Sequence, residues 1–250
     1  MTSDIKVREC STVEDFEQCI ALQREAFGLP DIEISPRRHF IVSHTAGGWT
    51  LGAFVDESMV GFVHHLVALR GKDEIIGYSH MMAVARSFQN RGVGSVLKWA
   101  QRNRALSEGR SFIRWTWDPM QARNAHFNLN RLGAVVRKYA VNFYGTDYSS
   151  ALAGQPSAPG IDSDRLIGEW DLENEFVQTL SKGAPIVLPP HDAEIVIHPD
   201  WTWLINSDPI LARNEQLRVR SEFQSALSAG LVAKSFVRDE TRPRYLLYRE

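Results

Sequence analysis

The segment from Asn90 to Ser95 has the composition of an anion-binding turn. Gly92 and Gly94 carry no side chain that could block a ligand, so the backbone amides of the segment can point into the space ahead of the next helix. The dipole of that helix adds partial positive charge at the same place. We therefore expect this turn to bind a phosphate group.

The elements on either side of the turn would hold it in position. The apolar stretch from Ile75 to Val84 predicts a strand. A helix is predicted after the turn, because apolar residues recur at a spacing of three or four at Val93, Val96, Leu97 and Ala100. A strand would thus lead directly into the phosphate-binding turn.

Two better-known phosphate loops are excluded by the residues that are missing. A P-loop requires lysine and then serine or threonine after its glycines, whereas Gly94 is followed by Ser95 and Val96. A dinucleotide-binding fingerprint requires three glycines, and only Gly92 and Gly94 are suitably spaced here. The turn therefore belongs to another class.

The pattern that remains is Q-N-R-G-V-G from Gln89 to Gly94, five residues after Val84, which matches Q/R-x-x-G-x-G/A. With this loop the chain resembles the GNAT acyltransferase superfamily, whose loop binds the pyrophosphate of coenzyme A. The segments H-M-M-A-V-A-R-S-F and G-S-V-L-x-W resemble the arylalkylamine N-acetyltransferases. Over its whole length, with its WTWDP, NAHFN and LGA elements, the chain resembles a bacterial branch of predicted GNAT enzymes.

The resemblance implies acetyl-CoA or another acyl-CoA as co-substrate, and no metal. The pantetheine arm would contact the backbone of Met82, Ala83 and Val84. Arg86 could add a phosphate contact. The pyrophosphate would be bound by the residues of the turn and the first helical residues, which are Gln89, Asn90, Arg91, Gly92, Val93, Gly94 and Ser95.

His80 and Tyr78 are the candidate catalytic bases. They lie two residues apart on the predicted strand and so share one face of it. The resemblance implies the same role, because the arylalkylamine enzymes have histidines at both positions. A histidine can accept a proton at physiological pH. The alternative for His80 is a structural histidine of the core.

The predicted helix after Asp118 departs from the family pattern. The tyrosine that many family members use as general acid corresponds to Leu129 here. Asn124 and Asn128 lie one helical turn apart and could replace contacts to the cofactor, or they could be solvated. Tyr139 or Tyr144 on the next strand could supply the proton, although aromatic residues on strands are commonly core residues.

Three further residues are candidates for the substrate site. Trp115 and Trp117 share one face of a predicted strand and would suit an apolar wall for the acceptor, or ordinary core packing. Arg37, with its neighbours Arg38 and His39, could bind a carboxylate of the acceptor or the donor, or form a solvated helix face.

Composition limits the class of protein. With 250 residues, 44% apolar and 23% charged, the chain is predicted to be a soluble globular protein in the cytoplasm. Its formal net charge of -2 argues against nucleic acid or a membrane as partner. Cys10 and Cys19 are too few for a disulfide framework and are predicted to be buried thiols.

The order of the predicted elements indicates an α/β fold with a mixed, mostly antiparallel sheet flanked by helices. We expect a GNAT domain over residues 1–172, with a long flexible loop at 145–163 before its last strand. Asp118 and Pro119 are predicted to begin the helix that reaches Leu132. Residues 173–250 are predicted to form an appended α/β subdomain, with a partial GNAT-like repeat as one interpretation. This subdomain would pack on the sheet or form a homodimer contact.

The favoured function is transfer of an acyl group from acyl-CoA to the amine of a small molecule or amino acid, by direct attack in a ternary complex. Acetyl is the default donor and succinyl is an alternative, because arginines near the pocket could accept its carboxylate. Two other functions stay open. One is a CoA-binding regulatory module without turnover, suggested by Leu129, and the other is a protein or peptide N-acetyltransferase.

Overall fold

The computed structural model describes residues 5–28, 31–147 and 160–250. Within them the protein has a mixed α/β fold with a mostly antiparallel sheet flanked by helices, which confirms the predicted fold class. The chain divides into two compact units, residues 1–114 and residues 115–250, called here the first and second unit. The predicted domain boundary at Leu172 lies inside the second unit and stays a prediction.

The first unit contains five strands in the order β1-β2-β3-β4-β5. Neighbouring strands are antiparallel except β4 and β5, which are parallel. The strands are β1 (Lys6–Glu9), β2 (Trp49–Val55), β3 (Ser58–Arg70), β4 (Glu74–Val84) and β5 (Phe112–Trp117), the last of which ends in the second unit. The helices are α1 (Val13–Phe27), α2 (Arg37–Thr45) and α3 (Val93–Ser107).

Helix α1 begins with a capping box. The side chain of Thr12 accepts a hydrogen bond from the amide of Asp15, and Asp15 reaches back to the amide of Thr12. Asp15 also forms an ion pair with Arg8 at 2.8 Å, which ties the helix to β1. The hydroxyl and the carboxylate that form the box therefore fix the start of α1 against the sheet.

Helices α2 and α3 cover opposite faces of β3. His64 contacts Ser43 of α2, whereas the next residue, His65, contacts Gln101 of α3. This alternation is the one that successive strand residues show. On the side of α1 and α2 the core is formed by buried apolar residues that include Phe16, Cys19, Phe40, Phe62 and Ala83.

The β3–β4 hairpin contains a bulge. His64 pairs with Met81, but His65 pairs with Ser79, so His80 is an extra residue on β4. A bulge of this kind bends the strand and changes the direction of the extra side chain. The bulge therefore falls at the candidate base.

Among its described residues, the second unit contains a sheet of five antiparallel strands in the order β9-β6-β11-β12-β10 and a separate pair, β7 and β8. Its strands in chain order are β6 (Val135–Ala140), β7 (Thr146–Asp147), β8 (Ile161–Asp162), β9 (Arg165–Asp171), β10 (Ala193–Val196), β11 (Leu231–Val237) and β12 (Arg244–Arg249), and β7 pairs with β8 alone. Its helices are α4 (Ala122–His126), which continues as a π-helix (Phe127–Arg131), α5 (Glu175–Ser181), α6 (Trp201–Ser207) and α7 (Pro209–Ser228).

The segment after Leu172 is built into the sheet of the second unit. Ala233 on β11 pairs with Val136 on β6, and the packing of Tyr245 against Phe236 and Phe223 continues the core across the segment. The predicted packing of residues 173–250 on the sheet as an appended subdomain stays a prediction. A homodimer contact stays a prediction.

The start of the helix after β5 differs from the prediction. Asp118 does not begin α4, because the amide of Gln121 bonds to the carbonyl of Asp118 at 3.1 Å and closes a turn first. The Asp118 carboxylate accepts from the amide of Met120 at 2.8 Å inside this turn, and the helix begins at Ala122. Of the predicted flexible loop at 145–163, residues 148–159 lie outside the described residues.

No helix among the described residues combines the length and apolarity that crossing a membrane requires.

Candidate active site

The turn after β4 has the geometry expected of an anion site. A short 3-10 helix at Arg86–Phe88 leads into it, and the side chain of Gln89 donates to the carbonyl of Val84 at 3.2 Å. Asn90 and Gly92 have positive φ angles of 61° and 86°. These two left-handed residues reverse the chain immediately before α3.

The first turn of α3 is open to an anion. Its N-cap residue is Gly92, which has no side chain to bond to the helical amides, and its first turn contains no acidic residue. The amides of Val93, Gly94 and Ser95 therefore keep the partial positive charge of a helix N-terminus. Arg91 is exposed beside them. The geometry fits a phosphate group, and CoA binding by these residues stays a prediction.

Arg86 forms its hydrogen bonds with α1. Its backbone amide donates to the carboxylate of Glu25 at 2.6 Å, and its guanidinium donates to the carbonyl of the same residue at 3.0 Å. Arg86 therefore connects the turn to α1. A phosphate contact by Arg86 would use the guanidinium nitrogens that take no part in these two bonds.

Strand β4 offers backbone groups on one edge. It pairs with β3 as far as Val84. Its described pairs with β5 in the first unit are Gly77 with Ile113 and Tyr78 with Arg114. Met82, Ala83 and Val84 lie beyond these pairs, and contact of their backbone with a pantetheine arm stays a prediction. Ala83 is buried, and the other two side chains are half-buried.

His80 is half-buried at the bulge. Its ring lies 5.0 Å from the ring of His39 and 6.0 Å from the ring of His64, measured between centroids. Burial lowers the pKa of His80 to about 4, and the neighbouring His39 adds to the shift. Tyr78 is also half-buried, opposite Leu66 on β3. The imidazole of His80 is therefore neutral at physiological pH and able to accept a proton.

His64 belongs to a structural network instead. Its Nε2 lies 3.0 Å from the Ser43 hydroxyl and its Nδ1 lies 2.8 Å from the Thr50 hydroxyl, which in turn lies 3.0 Å from His44. Burial, aided by nearby histidines, lowers the pKa of His64 to about 2. Both ring nitrogens are used, so His64 acts as a fixed neutral neighbour.

Within the described ranges, no three histidine, cysteine or acidic residues are arranged to bind a metal ion.

The candidates on α2 lie near the surface. Arg37 is exposed and forms an ion pair with Glu17 at 3.1 Å. Arg38 is exposed beside it, and both line a groove between α1 and α2 together with Ile20 and Ile34. His39 points to His80 rather than to this groove. His39 is therefore not part of the same surface as Arg37 and Arg38, with which it was predicted to bind a carboxylate.

Trp115 and Trp117 lie in the core of the second unit. They are 6% and 3% exposed, and their rings lie 6.3 Å apart. Trp117 lies over Gly168, where a Cβ atom would come within 2.5 Å of its ring. Trp115 packs edge-on against Trp170 at 5.7 Å. This burial favours the core interpretation, and an acceptor wall stays a prediction.

The remaining candidates also belong to the second unit. Asn124 is exposed on α4, whereas Asn128 is buried in the π-helix beside the buried Leu129. The Tyr139 hydroxyl donates to Asp164 at 2.6 Å, and burial and this carboxylate raise the pKa of Tyr139 far above its usual value. Tyr139 is therefore a poor proton donor. Tyr144 is exposed, with its hydroxyl 3.4 Å from that of Thr116.

The structure also contains a site that the sequence analysis did not identify. On the face of β4 opposite His80, the buried Lys98 donates to Ser79. The helical spacing of Lys98 indicates its burial, because Lys98 shares one face of α3 with Gly94, Gln101 and Ala105.

A known family of proteins matches the segment that contains the turn after β4. The sequence model of the acetyltransferase (GNAT) family matches residues 15–133, which include most of α1, the turn after β4, and β5. No curated protein matches the chain.

Solved acetyltransferase structures share the fold. The ribosomal-protein-S18-alanine N-acetyltransferase of Escherichia coli aligns with a TM-score of 0.53 at 14% identity, over 68% of this chain and 95% of its own. The NatC complex bound to Gag peptide and CoA aligns at 0.51 with 15% identity, over 67% and 98%. The GNAT acetyltransferase of Streptococcus pneumoniae aligns at 0.51 with 16% identity, over 66% and 98%.

At these identities the solved structures establish the fold alone, and the family match covers the segment that builds the phosphate cradle. Residues 15–133 of the chain therefore have the sequence pattern of the GNAT acetyltransferase family.

Proposed function

We propose that the protein is a CoA-dependent N-acyltransferase that acylates the amine of a small molecule or amino acid. The observation that carries the proposal is the uncapped first turn of α3 behind Gly92, within the segment that matches the family. A helix N-terminus with free amides binds a phosphate readily. The pyrophosphate of CoA supplies two such groups next to each other.

The donor would be held by backbone groups more than by side chains. The turn from Gln89 to Ser95 would bind the pyrophosphate, and the edge of β4 from Met82 to Val84 would bind the pantetheine amides. This arrangement places the thioester near the bulge at His80, because pantetheine extends along the strand. Asn124 and Asn128 lie in the second unit, and contact of their side chains with the cofactor stays a prediction.

The transfer needs one base and no covalent enzyme intermediate. The neutral amine attacks the thioester carbonyl, the new C–N bond forms, and the C–S bond breaks to release the CoA thiolate. His80, directly or through a water, would take the proton that the amine loses. With a pKa of about 4, His80 is a weak base. Such a base suits an acceptor whose amine is inexpensive to deprotonate.

This weakness favours α-amines as acceptors. An α-amine with a pKa of about 8 loses roughly 1.4 kcal/mol to protonation at pH 7, whereas a lysine-like amine with a pKa of about 10.4 loses about 4.6 kcal/mol. A base of low pKa offsets little of the free energy that deprotonating the lysine-like amine costs. An acceptor whose amine has a pKa near 8 is therefore preferred over a lysine-like amine.

The proton for the leaving thiolate needs no dedicated acid. Leu129 is fully buried and apolar, and Tyr139 is bonded to Asp164. A thiol has a pKa of about 8.5, so the thiolate can take the amine's proton or one from solvent. The missing tyrosine is thus compatible with turnover.

The donor is proposed to be acetyl-CoA. Succinyl-CoA is the second candidate, because Arg37 and Arg38 line the groove between α1 and α2 and could accept a carboxylate. Trp115 and Trp117 are retained as a proposed apolar contact for the acceptor. The proposed setting is the cytoplasm, without nucleic acid or membrane as partner, and with a homodimer as the proposed assembly.

A panel of donors and acceptors tests the proposal. Acetyl-CoA and succinyl-CoA are each combined with amino acids, simple amines and peptides, and release of the free CoA thiol is measured. Thiol release with amino acids supports the proposal. Release with peptides alone indicates a protein N-acetyltransferase, and a rise in melting temperature with acetyl-CoA but no release indicates a regulatory module.

A further inference from the structure

A polar network lies under β4, on the face opposite His80. The Nζ of Lys98 in α3 donates to the hydroxyl of Ser79 at 2.7 Å and to the side-chain oxygen of Gln101 at 3.0 Å. Lys98 is only 3% exposed. An ammonium group is costly to bury unless it is hydrogen-bonded, so this lysine is held in place by its partners.

The same network reaches β3 through His65. The side-chain nitrogen of Gln101 lies 3.3 Å from Nδ1 of His65, and Trp49 stacks on the His65 ring with centroids 4.1 Å apart. The ring also covers Gly77, where a Cβ atom would come within 2.2 Å of it. Because His65 is the cross-strand partner of Ser79, the network fixes both strands at the edge of the bulge.

The position of the bulge decides where His80 points. The register changes between the pair His64 and Met81 and the pair His65 and Ser79, which leaves His80 as the extra residue. A shift of the bulge by one residue would exchange the faces on which Ser79 and His80 lie. The hydrogen bond from Lys98 holds Ser79 on the α3 face, so His80 stays on the opposite face.

We propose that Lys98 is a positioning residue for acyl transfer: by holding Ser79 it keeps the bulge at His80 and the imidazole of His80 beside His39. This inference rests on the proposed acyltransferase function and adds a residue that is buried away from both substrates. Lys98 also belongs to the helix whose first turn forms the phosphate cradle. The same side chain therefore connects the cradle with the strand that carries the base.

The role does not depend on one charge state of Lys98. Burial lowers the pKa of Lys98 to about 7. The ammonium form and the neutral amine both carry N–H donors, so the bond to Ser79 can form in either state.

The first experiment is a double-mutant cycle with Lys98→Met, Ser79→Ala and the double variant. Methionine keeps the unbranched side chain and removes the donors. Each single variant should lower kcat about tenfold and leave the KM for acetyl-CoA within about twofold, because only the base is misplaced. The double variant should be no worse than either single one. Ser79→Thr, which keeps a hydroxyl, should retain most of the activity.

The exposed Lys72, in the turn between β3 and β4, provides the matched control. Lys72→Met should leave kcat unchanged. Additive losses in the cycle, or an unchanged kcat in folded Lys98→Met, would overturn the proposal. If Lys98→Met does not fold, Ser79→Ala carries the same test, since it removes a single oxygen atom.

A second readout is independent of turnover. The Cε1 proton resonance of His80, assigned with His80→Gln, reports the surroundings of the imidazole. It should shift in Lys98→Met and in Ser79→Ala but not in Lys72→Met. An unchanged resonance in both variants would refute the positioning role even if the enzyme is active. Failure of the wild type to release thiol, with the resonance shifted, would count against the proposed function alone.

Discussion

The imidazole of His80 lies 5.0 Å from the imidazole of His39, with the rings inclined by 51°. The pair brings an extra residue of β4 together with a residue of α2. Two imidazoles this close in a half-buried site oppose each other's protonation, and burial lowers the pKa of both. The pair is therefore neutral at physiological pH, which is the state that a proton acceptor requires.

Replacing His80 tests its role as the base. His80→Ala should lower kcat by about 10²-fold, the low end for general base catalysis because the pKa of His80 is far below neutral. The affinity for CoA should stay the same, since the side chain is not part of the phosphate cradle. Tyr78→Phe should have a smaller effect, and His191→Ala, at an exposed histidine, should have none. Normal turnover in folded His80→Ala would identify His80 as a structural residue.

The pH dependence of turnover should follow the acceptor and not the enzyme. His80, with a pKa of about 4, is already neutral at pH 6, so its titration adds no step near pH 6.5. The rate should rise as the acceptor amine loses its proton and then level. The midpoint should move from about pH 8 for the α-amine of a peptide toward about pH 10 for a lysine-like amine. A midpoint near pH 6.5 with both acceptors would contradict this assignment.

Filling the phosphate cradle should abolish cofactor binding. Gly92 has φ +86°, and a valine there would be strained and would occupy the space of the pyrophosphate. Wild-type protein should gain about 2.7 kcal/mol of stability from acetyl-CoA at one hundred times its dissociation constant, and Gly92→Val should gain none. Gly71→Val is the matched control, because Gly71 also has positive φ, at +67°, but lies in the β3–β4 turn. An equal loss in both variants would mean that strain, and not the cradle, is responsible.

The buried histidines should make the fold sensitive to mild acid. Burial lowers the pKa of His64 to about 2 and that of His65 to about 3, whereas the unfolded chain binds these protons near pH 6.5. Their stabilising contribution is therefore complete above about pH 6.5 and is lost as the pH falls below it toward the folded values. Each histidine adds up to about 1.4 kcal/mol per pH unit to the loss.

The measurement is denaturant unfolding at pH 7.0 and at pH 5.5, a window in which exposed carboxylates change little. We expect a lower free energy of unfolding at pH 5.5. Equal values at the two pH values would show that these histidines are not buried and neutral.

The sequence predicts those parts of the site that depend on local backbone chemistry. The turn at Gly92 was identifiable because amides, glycines and a helix start lie within a few residues of one another. The bulge at His80 was not, because it depends on the register of β4 against β3, which no local pattern specifies. Lys98 was not predicted for another reason: a lysine is normally solvated, and this one is buried against a partner on another element, Ser79 of β4.

The same distinction holds for the second unit. Trp115 and Trp117 were correctly placed on one strand with a shared face, but their neighbours Gly168, Trp170 and Tyr245 come from distant parts of the chain. The helix start at Ala122 was missed because the Asp118 carboxylate closes a turn that resembles a cap in sequence. Elements are thus predictable where the deciding contacts are local.

The proposed acyltransferase function depends on transfer of the acetyl group to an amine, which can be measured directly. Purified protein is incubated with acetyl-CoA and a panel of amino acids, and the free CoA thiol and the N-acetylated product are measured together. We expect amine-dependent thiol release with an equal amount of product, absent from Gly92→Val and present in Gly71→Val. Binding of acetyl-CoA without any amine-dependent product, from amino acids, simple amines or peptides, would contradict it.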